Sequence, residues 1–307
     1  MRVTVVGSGF VGQSTAMRLL ERGLAEVVLI DIVEGLPQAL ALDMKQSAPV
    51  VGFEPTIVGT NDYADTAGSD VVVITAGFPR QPGMSRMDLI GKNAGIVRGV
   101  VEQIAPASPD AIVIVVTNPL DEMTFLAAQA AGFPRERVMG MAGVLDSGRL
   151  RYFISEELGV SPSVVEAMTL GSHGDAMVPL PRHATVEGKP LTDLVDDETL
   201  DRLYARTRDA GAEIVALLKK GSAYYAPSAS IAKMVEAIAS GAEEPIPVCA
   251  WCTGPYGIQD VYVGVPVRLS RRGVDEIVEL DLNDDELQAL RTAAEGIRAK
   301  CADLVDL

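Results

Sequence analysis

Val3-Thr-Val-Val-Gly-Ser-Gly-Phe-Val-Gly12 opens the chain with a short β-branched run that leads straight into a G-x-G-x-x-G turn. A strand, a glycine-rich turn and then a helical stretch over Val11–Arg22 is how a doubly wound nucleotide-binding domain begins. Gly7 permits the tight turn, Gly9 lets the backbone approach a pyrophosphate, and Gly12 lets the helix pack close to the sheet. The helix N-terminus presents free N–H groups and the positive end of its dipole to phosphate. Gly7, Ser8, Gly9, Phe10, Val11 and Gly12 are therefore the candidate cradle. Glycine-rich turns are common, so the surroundings decide the reading. The next apolar run, Val27–Ile30, ends at Asp31, 24 residues after Gly7. A carboxylate there would accept hydrogen bonds from the ribose 2′-hydroxyl and repel a 2′-phosphate. No Arg follows nearby to hold such a phosphate, so the expected cofactor is NAD rather than NADP.

Further along, Val71–Thr75 and Ile112–Val116 are continuous Val/Ile runs of the kind that suits strands buried on both faces. Helical stretches over Leu36–Gln46, Ser85–Ile104 and Asp121–Ala131 alternate with them, and Pro37 fits a first helical turn. The alternation predicts an α/β fold: an N-terminal Rossmann doubly wound parallel sheet over residues 1–144. Residues 145–307 have a different rhythm and read as an α+β substrate domain. Helices are expected over Val144–Leu158, Leu203–Lys220, Ser228–Ser240 and Asp284–Asp306. Strands are expected over Ser163–Leu170, Pro245–Thr253, Val261–Leu269 and Val274–Leu280.

A chain of 307 residues with 48% apolar content can bury a large core. The net charge of −16 argues against nucleic acid and against an anionic membrane face, and no apolar run is long enough for a span. An anionic substrate would need local arginines to reverse the sign. Three cysteines, Cys249, Cys252 and Cys301, suggest a reducing, cytoplasmic setting. Cys249-Ala-Trp-Cys252 has redox-motif spacing but lies in an apolar strand with no His beside it, so no metal site is expected.

The candidate anion binders are Arg80 and Arg86, six residues apart in Ala76-Gly-Phe-Pro-Arg-Gln-Pro-Gly-Met-Ser-Arg-Met-Asp88. Two loop arginines are also ordinary surface; the alternative is that their forked donors close over a carboxylate. Only two histidines exist, His173 and His183. His173 sits in Leu170-Gly-Ser-His-Gly-Asp175, at a strand end between small residues, where an imidazole can give and take a proton. His183 reads as structural, in an ordinary polar strand. Asp146 and Arg149 in Val144-Leu-Asp-Ser-Gly-Arg149 share a helix face. Asp146 could orient His173, and Arg149 could fork onto a substrate carboxylate; a capping acid with a surface ion pair is the plainer reading. Val116-Thr-Asn-Pro119 lies at the carboxyl edge of the sheet, where Asn118 could meet a substrate hydroxyl or the nicotinamide ribose, or simply form a turn before Pro119.

Taken in order and spacing, these segments resemble the lactate/malate dehydrogenase family, within it the malate dehydrogenases that are lactate-dehydrogenase-like in sequence. The likeness runs from Gly7 to about Gly264 and includes Asn93, Gly140-Met-Ala-Gly-Val-Leu-Asp-Ser-Gly-Arg149 and Gly221-Ser-Ala-Tyr-Tyr-Ala-Pro227. It implies reversible, NAD-dependent oxidation of (S)-malate to oxaloacetate, a tricarboxylic acid cycle activity, with a mobile loop that closes over the site. By the same resemblance His173 is the proton donor and acceptor, and Asp146 is its partner. Arg149 anchors the C1 carboxylate, Arg86 polarises the carbonyl, and Arg80 marks the malate branch, where the lactate branch has Gln. Asn93 and Asn118 match positions that contact cofactor and substrate, and Val116 and Thr117 join the cofactor-binding set. Ser172 stands where Gly is more usual, and Gln81 where Lys is frequent. The family tends to form dimers or tetramers; a homotetramer is expected, with a dimer as the alternative. The rival readings are an L-lactate or other 2-hydroxyacid dehydrogenase, an NAD-dependent glycosidase, and a non-catalytic NAD-binding protein.

Overall fold

The computed structural model describes residues 1–78, 86–241, 243–302 and 304, and for residues 86–88 the backbone alone. Its first half alternates as expected: β1 (Arg2–Val6), α1 (Phe10–Glu21), β2 (Glu26–Ile30), α2 (Leu36–Val51), β3 (Ile57–Thr60), β4 (Val71–Ile74), α3 (Arg86–Ala107), β5 (Ile112–Val115), α4 (Leu120–Ala131) and β6 (Val138–Gly140). The strands lie side by side in the order β3-β2-β1-β4-β5-β6, all parallel. Successive residues of a strand face opposite sides, and the apolar runs use both. Val71 and Val73 join the core under α1 and α2, while Val72 and Ile74 join the core under α3 and α4. Each such fully buried Val or Ile contributes roughly 1.5–3 kcal/mol. This is the Rossmann order: the chain steps outward one way from β1 to β3 and the other way from β4 to β6, and the switch between β1 and β4 opens a crevice at their carboxyl ends.

The second half comprises α5 (Gly143–Leu158), β7 (Val165–Glu166), β8 (Thr169–Gly171), β9 (Met177–Pro179), β10 (Thr185–Val186), β11 (Lys189–Pro190), α6 (Asp197–Leu218), α7 (Tyr225–Ser240), β12 (Ile246–Cys252), β13 (Val261–Ser270), β14 (Gly273–Ile277) and α8 (Asp284–Ala302). Through the pairing of Cys249 with Gly140, antiparallel β12 extends the parallel sheet, and β13, β8 and β9 follow it. One sheet thus runs through both halves of the molecule. β7, β10 and β11 form a separate small sheet.

The structure departs from the sequence reading in several places. β3 was not expected, because Ile57-Val-Gly-Thr60 is short, with an exposed Val58 and a glycine under Pro37 O. The expected strand Ser163–Leu170 is two short strands in two different sheets, preceded by a 3-10 turn, and His183 lies in a 3-10 turn over Pro181–His183 rather than in a strand. Helix α6 starts at Asp197, six residues before Leu203, because Asp196 caps it by accepting a hydrogen bond from the Thr199 N–H at 2.9 Å. Helix α2 passes the expected end at Gln46 and carries Pro49 in its last turn. The three cysteines are free and buried, Cys249 and Cys252 on β12. Among the described residues no helix is long and apolar enough to cross a membrane.

Candidate active site

The crevice between β1 and β4 begins at Gly7. Its φ of +100° is open to glycine, and a Cβ there would fall 2.8 Å from Ala76 N and Thr75 Oγ1. A Cβ on Gly12 would fall 1.8 Å from Gly7 O, so α1 starts in direct backbone contact with the turn. Gly9, which precedes α1, has no atom of the described residues within 4 Å of its Cβ position, and none of their side chains caps the helix. The start of α1 therefore faces open space with its N–H groups, as an anion site requires. Ser8 is buried, and its Oγ has no hydrogen-bond partner among the described residues.

Asp31 follows β2 and turns toward this loop. Its Oδ2 accepts from Ser8 N at 2.6 Å and its Oδ1 from Val33 N at 2.9 Å. The side chain of Asn61 donates to Asp31 O and Val33 O, which fixes the turn. An uncapped helix start, an open position at Gly9, an unbonded buried hydroxyl and an acid at the strand end together fit the diphosphate and adenosine ribose of NAD. Phe10 is 65% exposed and stacks on Tyr224, ring centroids 5.2 Å apart, which ties the cradle to the segment before α7.

At the ends of β4 and β5 the chain is braced by side chains. Thr117 Oγ1 donates to Ala76 O at 2.6 Å. Asn93, on α3, is 2% exposed; its amide donates to Asn118 O at 2.6 Å and accepts from Phe78 N at 2.7 Å. Its polar atoms thus hold the two edge loops together. Val116 packs against the main core, and the Asn118–Pro119 peptide is cis. Arg80 lies outside the described residues. Arg86 opens α3, and its side chain lies outside them too.

His173 follows β8. Its Nδ1 lies 2.8 Å from Asp146 Oδ2, with the two side chains 17% and 3% exposed. A carboxylate at Nδ1 favours that nitrogen as the N–H donor, which leaves Nε2 on the unengaged side of the ring. The helix that carries Asp146 is pinned from two sides. A Cβ on Gly143 would fall 2.6 Å from Pro247 Cβ and 2.9 Å from Thr169 O, and Ser147 Oγ accepts from Thr169 N at 2.9 Å. That close approach brings α5 against β8 and β12 and delivers Asp146 to a histidine 27 residues away. Burial disfavours charge on His173. The Asp146 charge and hydrogen bond, with the Asp121 charge, outweigh it, and Arg149 opposes them; the net pKa lies above the ordinary value.

Arg149 sits one turn beyond Asp146, 3.5 Å from its Oδ1, and its Nε is buried without a hydrogen-bond partner among the described residues. Burial pulls its pKa down, and Asp146 restores part of it. A nearly enclosed guanidinium with a buried, unbonded Nε beside the His173 imidazole has the donor geometry that a carboxylate matches. The plainer reading of Asp146 and Arg149 as a surface pair is excluded by their burial.

Two further side chains meet beside His173, Asp121 without any sequence signal and Ser172 with one only through the family resemblance. Asp121, at the start of α4, accepts from Ser172 Oγ at 2.6 Å and from His173 N at 3.1 Å. In the sequence it reads as an ordinary acid in a first helical turn. Ser172 stood out only as a departure from the family pattern.

Residues 1–140 match the lactate/malate dehydrogenase NAD-binding domain, and residues 143–306 the lactate/malate dehydrogenase alpha/beta C-terminal domain. The chain belongs to the lactate/malate dehydrogenase family. It is 54% identical to a malate dehydrogenase of Thermomicrobium roseum, over 97% of this chain and 96% of that one. A solved malate dehydrogenase from Salinibacter ruber, 49% identical, superposes with a TM-score of 0.95 and covers 100% of this chain and 98% of its own. A lactate dehydrogenase from Cryptosporidium parvum, solved with lactic acid and nicotinamide adenine dinucleotide, is 40% identical with a TM-score of 0.95, covering 100% and 98%.

Proposed function

We propose that this chain is an NAD-dependent malate dehydrogenase that interconverts (S)-malate and oxaloacetate. The observation that carries the reading is the buried Asp146–His173 pair beside the half-unsatisfied Arg149, at the crevice of a Rossmann sheet. Full-length identity of 50–54% to malate dehydrogenases supports the choice of substrate. Residues 1–144 are assigned to the cofactor and residues 145–307 to the substrate.

The phosphate loop Gly7–Gly12 and Asp31 would hold NAD, with Asn93, Val116, Thr117 and Asn118 shaping the nicotinamide end. When bound, the cofactor supplies or accepts the hydride at C2. Arg149 pairs with the C1 carboxylate of oxaloacetate and Arg80 with the C4 carboxylate. Arg86, at the start of α3, polarises the ketone as water is excluded from the site. His173 Nε2 gives its proton to the ketone oxygen, and Asp146 balances the imidazolium before that transfer. In malate oxidation the neutral imidazole takes the hydroxyl proton, and Asp146 stabilises the charge that results.

A dicarboxylate is favoured because Arg80 would be left unpaired with pyruvate. Such a loss costs about 3–5 kcal/mol, on the order of 10²–10³ in preference. NADH oxidation with oxaloacetate and pyruvate side by side tests this, in the wild type and in Arg80→Gln. A strong oxaloacetate preference that collapses in the variant is expected. Equal use of both acids by the wild type would move the assignment to lactate or another 2-hydroxyacid, a reading kept in view by the Cryptosporidium structure. Assembly is assigned as a homotetramer in a cytoplasmic setting. Association of subunits is supported by α2, which buries Ala41, Met44 and Ala48 but leaves Leu42, Val50 and Val51 exposed. Light scattering would give the mass directly.

A further inference from the structure

Asp121 is a carboxylate for which the reaction above has no use. It is 3% exposed, and a carboxylate buried this deeply is costly to keep unless its bonds repay it. Its bonds converge on one residue's neighbourhood. The Ser172 hydroxyl and the His173 backbone N–H both donate to Oδ2, at 2.6 and 3.1 Å. The Cys249 thiol on β12 faces the same carboxyl, and its own pKa is pushed well up by burial first and by Asp121 second.

We propose that Asp121 and Ser172 are positioning residues for His173: the Asp121 carboxylate clamps the 172–173 backbone from α4 while Asp146 holds the imidazole from α5. The proposal rests on the reading of His173 as the proton-transfer group. Two carboxylates grip the two ends of one residue, Asp146 at Nδ1 and Asp121 at the main-chain nitrogen. With both ends fixed, Nε2 points in one direction, and alignment of that kind is worth a large factor in rate. A glycine at 172 would offer no hydroxyl, so this second bond belongs to the side chain found here.

The clamp also carries charge. His173 faces Asp146 and Arg149 from α5 and Asp121 from α4. Asp121 in turn faces Glu122 on its own helix and Cys249 on β12, with Cys301 of α8 close by. Burial raises the pKa of Asp121; the Ser172 hydrogen bond, the His173 charge and the Cys249 thiol pull it back, and Glu122 adds to the rise. Removing the Ser172 hydroxyl therefore favours protonated Asp121. That withdraws a negative charge from His173 and lowers the imidazole's pKa.

The chain holds two histidines, so NMR titration of the intact protein reads the His173 imidazole without any turnover. Ser172→Ala, Ser172→Thr and Asp121→Asn are compared with the wild type, and NADH titration confirms that each is folded. In Ser172→Ala we expect kcat for oxaloacetate reduction to fall about tenfold, with KM and the NADH Kd within about twofold. The alkaline limb of kcat, which needs imidazolium, moves to lower pH together with the NMR midpoint. Ser172→Thr restores both, and Asp121→Asn moves both in the same direction as Ser172→Ala. Wild-type midpoints and wild-type kcat in Ser172→Ala and Asp121→Asn would overturn the proposal. A wild type that turns over no 2-keto acid would sink the functional reading instead, and the NMR midpoints would still judge the clamp.

Discussion

At the phosphate loop the decisive contacts turn on backbone groups: Gly7 lies against Gly12 within a few residues, and Ser8 N donates to the Asp31 carboxylate at the end of the next strand. Around His173 they cross between elements and are made by side chains: Asp146 from α5, Asp121 and Ser172 from opposite ends of a 51-residue separation. The first pole is a shape that glycine makes and a larger residue destroys. The second is a charge arrangement that survives changes of shape but not the loss of a titrating group. The two poles should therefore fail in different ways, and variants can test whether they do.

The largest effect is expected at the second pole. His173→Asn keeps the volume and removes the proton, so kcat should fall by about 10³-fold or more while NADH still binds within about twofold. Steady-state rates and fluorescence titration measure the two. Residual turnover near the wild-type level would mean that the proton moves elsewhere.

Next comes a pair at the first pole. Gly12→Ala drives a Cβ to within 1.8 Å of Gly7 O, backbone that cannot step aside, so it should cost about 1–3 kcal/mol or more of stability and lose the cofactor. Gly9→Ala meets no atom of the described residues, at a φ of −68° that any residue adopts. Its melting temperature should stay within about 2 °C of the wild type while NADH binds more weakly. If both variants melt alike and bind alike, the loop's glycines are not divided between folding and ligand as the geometry says. A smaller change of preference is expected from Asp31→Ser, which removes the charge that would repel a 2′-phosphate. The ratio of NADPH to NADH use should rise about tenfold, because such a repulsion is worth about 1–4 kcal/mol at contact distance. An unchanged ratio would place the discrimination outside Asp31.

The same division explains how far the sequence could be read. Val3–Val6, Val27–Ile30 and Ile112–Val115 declare themselves because strands buried on both faces need unbroken apolar runs. Asp31 and the glycines are legible because their job is local. β3 is not, since at the sheet edge only Ile57 and Thr60 are buried. Residues 163–170 mislead because the chain leaves one sheet at Glu166 and enters another at Thr169, a crossing that no local pattern records. The His173–Asp146 contact depends on how closely α5 approaches Pro247, and Asp121 depends on where α4 ends up against β8. Family resemblance supplied the first of these, and nothing in the residues alone supplied the second.

The smallest effect is a change of slope rather than of level. His173 has a folded pKa above its ordinary value of 6.5, so protonation stabilises the native state. That contribution is fully present below the unfolded value and is lost as pH rises through the folded one. In Asp146→Asn the charge and hydrogen bond that overcame burial are gone. Burial then wins, the folded pKa drops, and the sign reverses: the native state is penalised at low pH and recovers as pH rises. The difference in melting temperature between wild type and Asp146→Asn should therefore shrink steadily from about pH 5.5 to pH 8.5, in a window set by the ordinary histidine value. Other titrating groups, Asp121 included, are common to both proteins and largely cancel in the difference. A difference that stays flat across the window would mean that Asp146 holds the ring in place without governing its charge, and the second pole would then be a matter of shape like the first.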